Sequence, residues 1–112
     1  MPPRAAARAT AASAPLFAAL GDETRLALVA RLSAEGPLSI AKLTAGADVT
    51  RQAVTKHLHI LAEAGLVHGA REGRERVWEL EPRRLEDARR YLDLISRRWD
   101  AALDRLKAHV ER

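Results

Sequence analysis

Between Thr50 and Gly65 the chain reads TRQAVTKHLHILAEAG, and Arg51, Gln52, Thr55, Lys56 and His59 supply hydrogen-bond donors and positive charge. Groups of this kind read surfaces rather than break bonds. Gln can pair with an adenine edge, Arg and Lys with guanine or phosphate, and Thr with a thymine methyl or a phosphate. Ser39 and Lys42 upstream, with Arg71, Arg74 and Arg76 downstream, have the chemistry of phosphate contacts that position a protein without specifying sequence. Support for catalysis is poor. Asp93, Asp100 and Asp104 spread along one stretch, no glycine-rich phosphate loop occurs, and no serine has a base beside it, so no catalytic residue is assigned.

A helix must display the first set. At about 100° per residue, Leu58, Leu61 and Gly65 fall within roughly 40° of Val54, and Ala53, His57, Ile60 and Ala64 close one side of that apolar arc. Gln52, Lys56, His59 and Glu63 lie opposite, Thr55 at the edge and Arg51 in the first turn. His57 therefore reads as a hydrogen-bonded core histidine. It stands about 200° around the axis from His59, so the two cannot share one ion. Thr50 is placed to cap the helix start, at the edge of the same contact surface, and Gly65 suits its left-handed end.

Composition narrows the rest. The 112 residues allow one domain-sized core, and with only 4% aromatics that core must be built from Ala, Leu, Val and Ile, which leaves little room for a deep catalytic pocket. Cysteine is absent, which removes disulfides, thiolate metal sites and cysteine nucleophiles. No apolar run nears the ~20 residues of a membrane span and no signal-peptide core is present, so a cytoplasmic protein without membrane contact is expected. The net charge of +4 sits at the ends: +2 over residues 1–14, −1 over 15–49, 0 over 50–81 and +3 over 82–112. Net charge alone is weak support for a nucleic-acid partner, and the local arrangement carries that reading.

In chain order, residues 1–14 (MPPRAAARATAASA) lack large apolar side chains after Met1 and read as a flexible tail. Residues 15–81 read as the DNA-binding domain. Pro15 to Leu20 gives one or two helical turns pinned by Phe17. Asp22 caps a helix to about Glu35 with Leu26, Val29, Ala30 and Leu32 inward. Ser39 caps a short helix with Ile40, Leu43 and Ala47 inward, and Gly46 breaks it before the helix that begins at Thr50. Two short helices with a tight break, the second polar on its outer face, make a helix-turn-helix pattern. Leu66 to Leu80 then reads as a β-hairpin around Glu72 and Gly73, with Arg71, Arg74 and Arg76 crowding its tip as a wing and Glu72 and Glu75 diluting them.

Residues 82–112 read as a dimerisation segment, one helix from Pro82 to about Val110 and roughly 40 Å long. Leu85, Ala88, Leu92, Ile95, Trp99, Ala102 and Leu106 repeat at alternating spacings of three and four, the seam of a helix that packs lengthwise on another. Leu103 and Val110 widen that seam. The expected homodimer interface comprises Leu92, Ile95, Trp99, Ala102, Leu103, Leu106 and Val110, joined by Phe17 of the N-terminal helix. The alternative is a protein-interaction module that uses the same helix to recruit another helical protein.

The order of these segments, with Asp22, Glu23 and Arg25 at a helix start, Thr50, Thr55, His57 and Leu58, and Ala64-Gly65-Leu66-Val67 before the hairpin, resembles the ArsR family of winged-helix transcriptional regulators. The likeness covers nearly everything from Pro15 onward. It implies a mainly α fold with a small β-hairpin, a winged helix-turn-helix whose long C-terminal helix dimerises together with the N-terminal helix. It also implies a cytoplasmic homodimeric repressor that binds double-stranded DNA at a palindromic operator. In many members a metal or metalloid releases the DNA. Here SIAKLTAGA holds no cysteine, and the last helix offers only His109, five residues from Asp104, so neither a metal nor a cofactor is expected.

Overall fold

A computed structural model describes residues 3–111; Met1 and Pro2 of the expected tail and Arg112 of the expected last segment lie outside that range. The elements are α1 (Pro3–Leu20), α2 (Glu23–Glu35), β1 (Leu38–Ser39), α3 (Ile40–Ala45), α4 (Arg51–Glu63), β2 (Val67–Glu72), β3 (Glu75–Leu80) and α5 (Pro82–Val110). The strands form an antiparallel sheet of order β1-β3-β2. With α3 and α4 as the helix-turn-helix and β2-β3 as the wing, this is the mainly α winged helix that the pattern predicts.

Three helix starts are fixed by the same device. The side chains of Asp22, Ser39 and Thr50 accept from the backbone amides of Arg25, Lys42 and Ala53, each three residues on. Each bond satisfies an amide that the first helical turn leaves without a partner. At the far end of α4, Gly65 takes φ 78°, and the Gly65 and Leu66 amides bond the Ala62 and Leu61 carbonyls at 2.9 and 3.0 Å. That paired closure needs a residue at ease in the left-handed region.

Leu16, Leu43, Val54, Leu58, Leu61 and Leu66 are fully buried, and Leu28, Leu32, Trp78 and Ala88 complete the core around them. Truncating one such leucine to alanine costs about 2–5 kcal/mol, so these residues set the attitude of α4 on the domain. On α2 the inward residues are Leu28 and Leu32 with Val29 half-buried, whereas Leu26 and Ala30 face solvent, contrary to expectation. The stripe follows the i, i+4 pair Leu28/Leu32, and Leu26 and Ala30 lie on another side of the helix.

Residues 3–14, expected as a flexible tail, instead form the first turns of α1. Their alanines carry the highest intrinsic helix propensity, and their small side chains let α5 approach closely. Ala6 and Ser13 are buried, and Thr10 Oγ1 shares a hydrogen bond with the Tyr91 hydroxyl at 2.9 Å. The strand β1 was not legible in the sequence. It pairs Leu38 with Trp78 and Ser39 with Val77, anchoring the wing to the start of α3.

The helix α5 is uneven in its burial. Ala88 is buried, Leu85 packs on the core, and Tyr91 meets Phe17 at a ring-centroid distance of 5.8 Å. From Ser96 to Val110 every residue is exposed, including Trp99 at 68%.

Candidate nucleic-acid interface

The polar face of α4 is open. Arg51, Gln52, Lys56 and His59 are exposed, and among the described residues none of the first three is in a hydrogen bond or ion pair through its side chain. Thr50 is exposed too, but its hydroxyl accepts the Ala53 amide at 3.1 Å. Thr55 is half-buried and its hydroxyl donates to the Arg51 carbonyl at 2.9 Å, so its methyl is the part left for contact. His57 turns inward and its Nδ1 receives the Arg25 guanidinium at 3.2 Å, the structural role read from the angular count.

Of the two expected phosphate contacts on α3, only Lys42 is exposed. Ser39 is buried and its hydroxyl accepts the Lys42 amide at 3.3 Å. Its hydroxyl caps α3 from a buried place at the root of the sheet, which leaves Lys42 as the exposed member of the pair. Arg31, which the sequence reading missed, supports the same helix: its Nη1 donates to the Lys42 and Leu43 carbonyls at 3.1 and 3.2 Å, while its Nε pairs with Glu35 at 3.0 Å. The guanidinium thereby ties the last turn of α3 to α2.

The wing separates its charges by face. Arg71 is the register partner of Arg76, and Glu72 of Glu75. Residues directly opposite in an antiparallel pair share a face and their neighbours take the other, so the arginines and glutamates point apart. The glutamates therefore do not dilute the basic face as expected. Gly73, at φ 61°, and Arg74 make the two-residue turn. Together Gly69, Arg71, Arg74 and Arg76 line an open concavity on that face.

Trp78 is the second residue the sequence reading missed. Its ring, 3% exposed as a residue, lies beneath the Arg76 guanidinium at 5.1 Å and meets the His59 ring edge-on at 5.8 Å. The signal was available: in Arg76-Val77-Trp78 the first and third residues share a strand face. At the root of the wing, His68 places Nε2 at 2.6 Å from Glu79 and Nδ1 at 3.2 Å from Glu81, which precedes α5.

The expected dimer residues are displayed unequally. Leu92, Trp99, Leu103, Leu106 and Val110 are large exposed apolar side chains, Ala102 lies among them, and Ile95 is half-buried. Phe17 is half-buried and turned toward Tyr91 within the chain. Among the described residues no group of three His, Asp or Glu side chains is arranged to hold a metal ion, and no helix is long and apolar enough to cross a membrane.

Comparison with known proteins follows the same lines. Residues 20–70 match a helix-turn-helix domain family. An HTH-type transcriptional regulator of Mycobacterium tuberculosis is 44% identical over 85 residues, 76% of each chain. The arsenical resistance operon repressor of Escherichia coli is 36% identical over 67 residues, 60% of this chain and 57% of the repressor. Among solved structures, an ArsR-like transcriptional regulator from Rhodococcus superposes with a TM-score of 0.72 at 36% identity, over 88% of this chain and 92% of that one.

Proposed function

The chain belongs to the ArsR family of winged-helix transcriptional regulators, and on that footing we propose that it is a homodimeric repressor that reads a palindromic operator through α4. The observation that carries this reading is the row Arg51, Gln52, Lys56 and His59 on the open face of α4, flanked by the arginine face of the wing. In a twofold dimer the two α4 helices enter successive major grooves about 34 Å apart. Gln52 and Arg51 are the candidate base readers. Lys42, Lys56, Arg71, Arg74 and Arg76 supply phosphate contacts, and Thr50 and Thr55 contribute close packing at the start of the helix.

The dimer forms through α5, where an exposed apolar seam from Leu92 to Val110 continues past the point at which the chain's own core ends. The protein works in the cytoplasm and catalyses no reaction. With no cysteine available, a thiolate-bound metal is not its release signal.

A shift assay on the protein's own upstream DNA, repeated over a salt series, tests this reading. Specific retardation should weaken with a slope of about −0.9 per phosphate contact in log–log form. Binding that is absent at every salt concentration, alongside DNA-independent capture of a different helical protein, would replace the regulator with an interaction module.

A further inference from the structure

We propose that Arg76 is the fixed phosphate contact of the wing, held in its pose by Trp78 beneath it and by the missing side chain at Gly69. The inference rests on the DNA-binding reading and deepens it. Three arginines share the basic face, but only Arg76 has a seat. Its guanidinium lies 5.1 Å from the Trp78 ring centroid, and Gly69 is the register partner of Trp78, so the arginine folds back diagonally across both. Cations over an indole face are attracted by the ring quadrupole, and Arg also stacks flat on it.

Gly69 is not required by its backbone. The glycines at positive φ are Gly36, Gly65 and Gly73, so at Gly69 an L-residue would meet no conformational penalty. What a side chain would meet is Arg76: a Cβ built on Gly69 stands 2.6 Å from its Nε, 3.2 Å from Nη2 and 3.3 Å from Cζ. The atoms in the way are the far end of a flexible side chain, so Gly69→Ala should leave the hairpin intact and displace the guanidinium alone. Arg71 and Arg74 have no aromatic seat and no ion-pair partner among the described residues, and each must order its whole side chain on meeting a phosphate.

The seat also couples two parts of the interface. The Trp78 ring that carries Arg76 touches His59 on α4, at 5.8 Å and 68° between ring planes. A phosphate bound by Arg76 is thus held at a set distance from the helix that reads bases. This preorganisation lowers the ordering cost of the contact.

The test is a double-mutant cycle on DNA affinity, measured by fluorescence anisotropy on operator and random duplexes across a salt series. Arg76→Ala should weaken both duplexes about five- to tenfold and reduce the salt slope by about 1. Gly69→Ala should lose a comparable factor with every charge retained, and should cost nothing further in the Arg76→Ala background. Arg71→Ala should cost less than Arg76→Ala. Additive losses in the cycle, or equal losses for Arg71→Ala and Arg76→Ala, would overturn the proposal. A second readout needs no DNA: the Arg76 δ-methylene protons should be shifted upfield by the Trp78 ring and return to ordinary positions in Gly69→Ala. Unshifted protons in the wild-type protein would overturn the seat itself. Wild-type protein that shows the ring shift but binds no duplex would instead sink the regulatory reading.

Discussion

Arg25 on α2 donates from Nη1 to His57 Nδ1 on α4 at 3.2 Å, and from Nε to the Ala19 carbonyl on α1 at 2.6 Å. One guanidinium thus ties three helices, and because arginine can only donate, His57 must accept at Nδ1 and carry its proton at Nε2. Arg25→Ala should destabilise the domain by roughly 1–3 kcal/mol, since both acceptors lose a charge-assisted partner in a half-buried place. His57→Ala should cost less, and in urea unfolding the double variant should fall short of the sum. Strict additivity would mean that the two side chains do not work together.

The Asp22 carboxylate accepts the Arg25 amide at 3.0 Å, and that backbone bond, with the positive charge of the Arg25 guanidinium adding to it against the opposing effect of burial, holds its pKa below the usual aspartate value. A folded pKa below the unfolded one gives stability that is fully present above the unfolded value, near 3.8, and is lost as pH falls through the folded value. The urea midpoint of Asp22→Ala should therefore lie below that of wild type at neutral pH and converge with it on acidification. A gap that stays constant down the acid limb would show that the carboxylate charge is not what the cap supplies.

Much of this arrangement was legible because local chemistry and global packing agree at Asp22, Ser39 and Thr50. Each is a short polar residue ahead of a helical pattern, and each caps as its type predicts. The outward row of α4 was legible for a similar reason, since a strong apolar arc through Val54, Leu58 and Leu61 leaves one orientation for the rest. What escaped depends on partners far away in sequence. Ala6 and Ser13 become buried only because α5 lies across them, and the pairing of Leu38 with Trp78 joins residues forty positions apart without any periodic trace. Leu26 misled because its size implied burial while the helix phase set by Leu28 and Leu32 turned it outward.

The outer half of α5 makes a prediction about assembly. Trp99, Leu103, Leu106 and Val110 remain exposed although they continue the apolar repeat, an arrangement that a second copy of the helix would cover. Leu106→Asp should shift the protein toward monomer in sedimentation velocity. Losing one of two linked half-site contacts should lower operator affinity by about 10²-fold or more, with little change in the fold of residues 15–81. Sedimentation as an unchanged dimer would place the interface elsewhere.

Gln52 and Lys56 sit one turn apart on the open face of α4, and their chemistry predicts different failures. A glutamine amide that pairs with one base edge discriminates between sequences, so Gln52→Ala should lose about 1–3 kcal/mol on the operator and little on random DNA, with an unaltered salt slope. A lysine that meets a phosphate carries no sequence information, so Lys56→Ala should weaken both duplexes alike and reduce the slope by about 1. Both side chains are solvent-exposed and distant from the core, so neither variant should change the unfolding midpoint by more than about 0.5 kcal/mol in free energy, and lost affinity can be read as lost contact. Equal losses on both duplexes for Gln52→Ala would remove it from the base-reading set and leave Arg51 as the principal candidate.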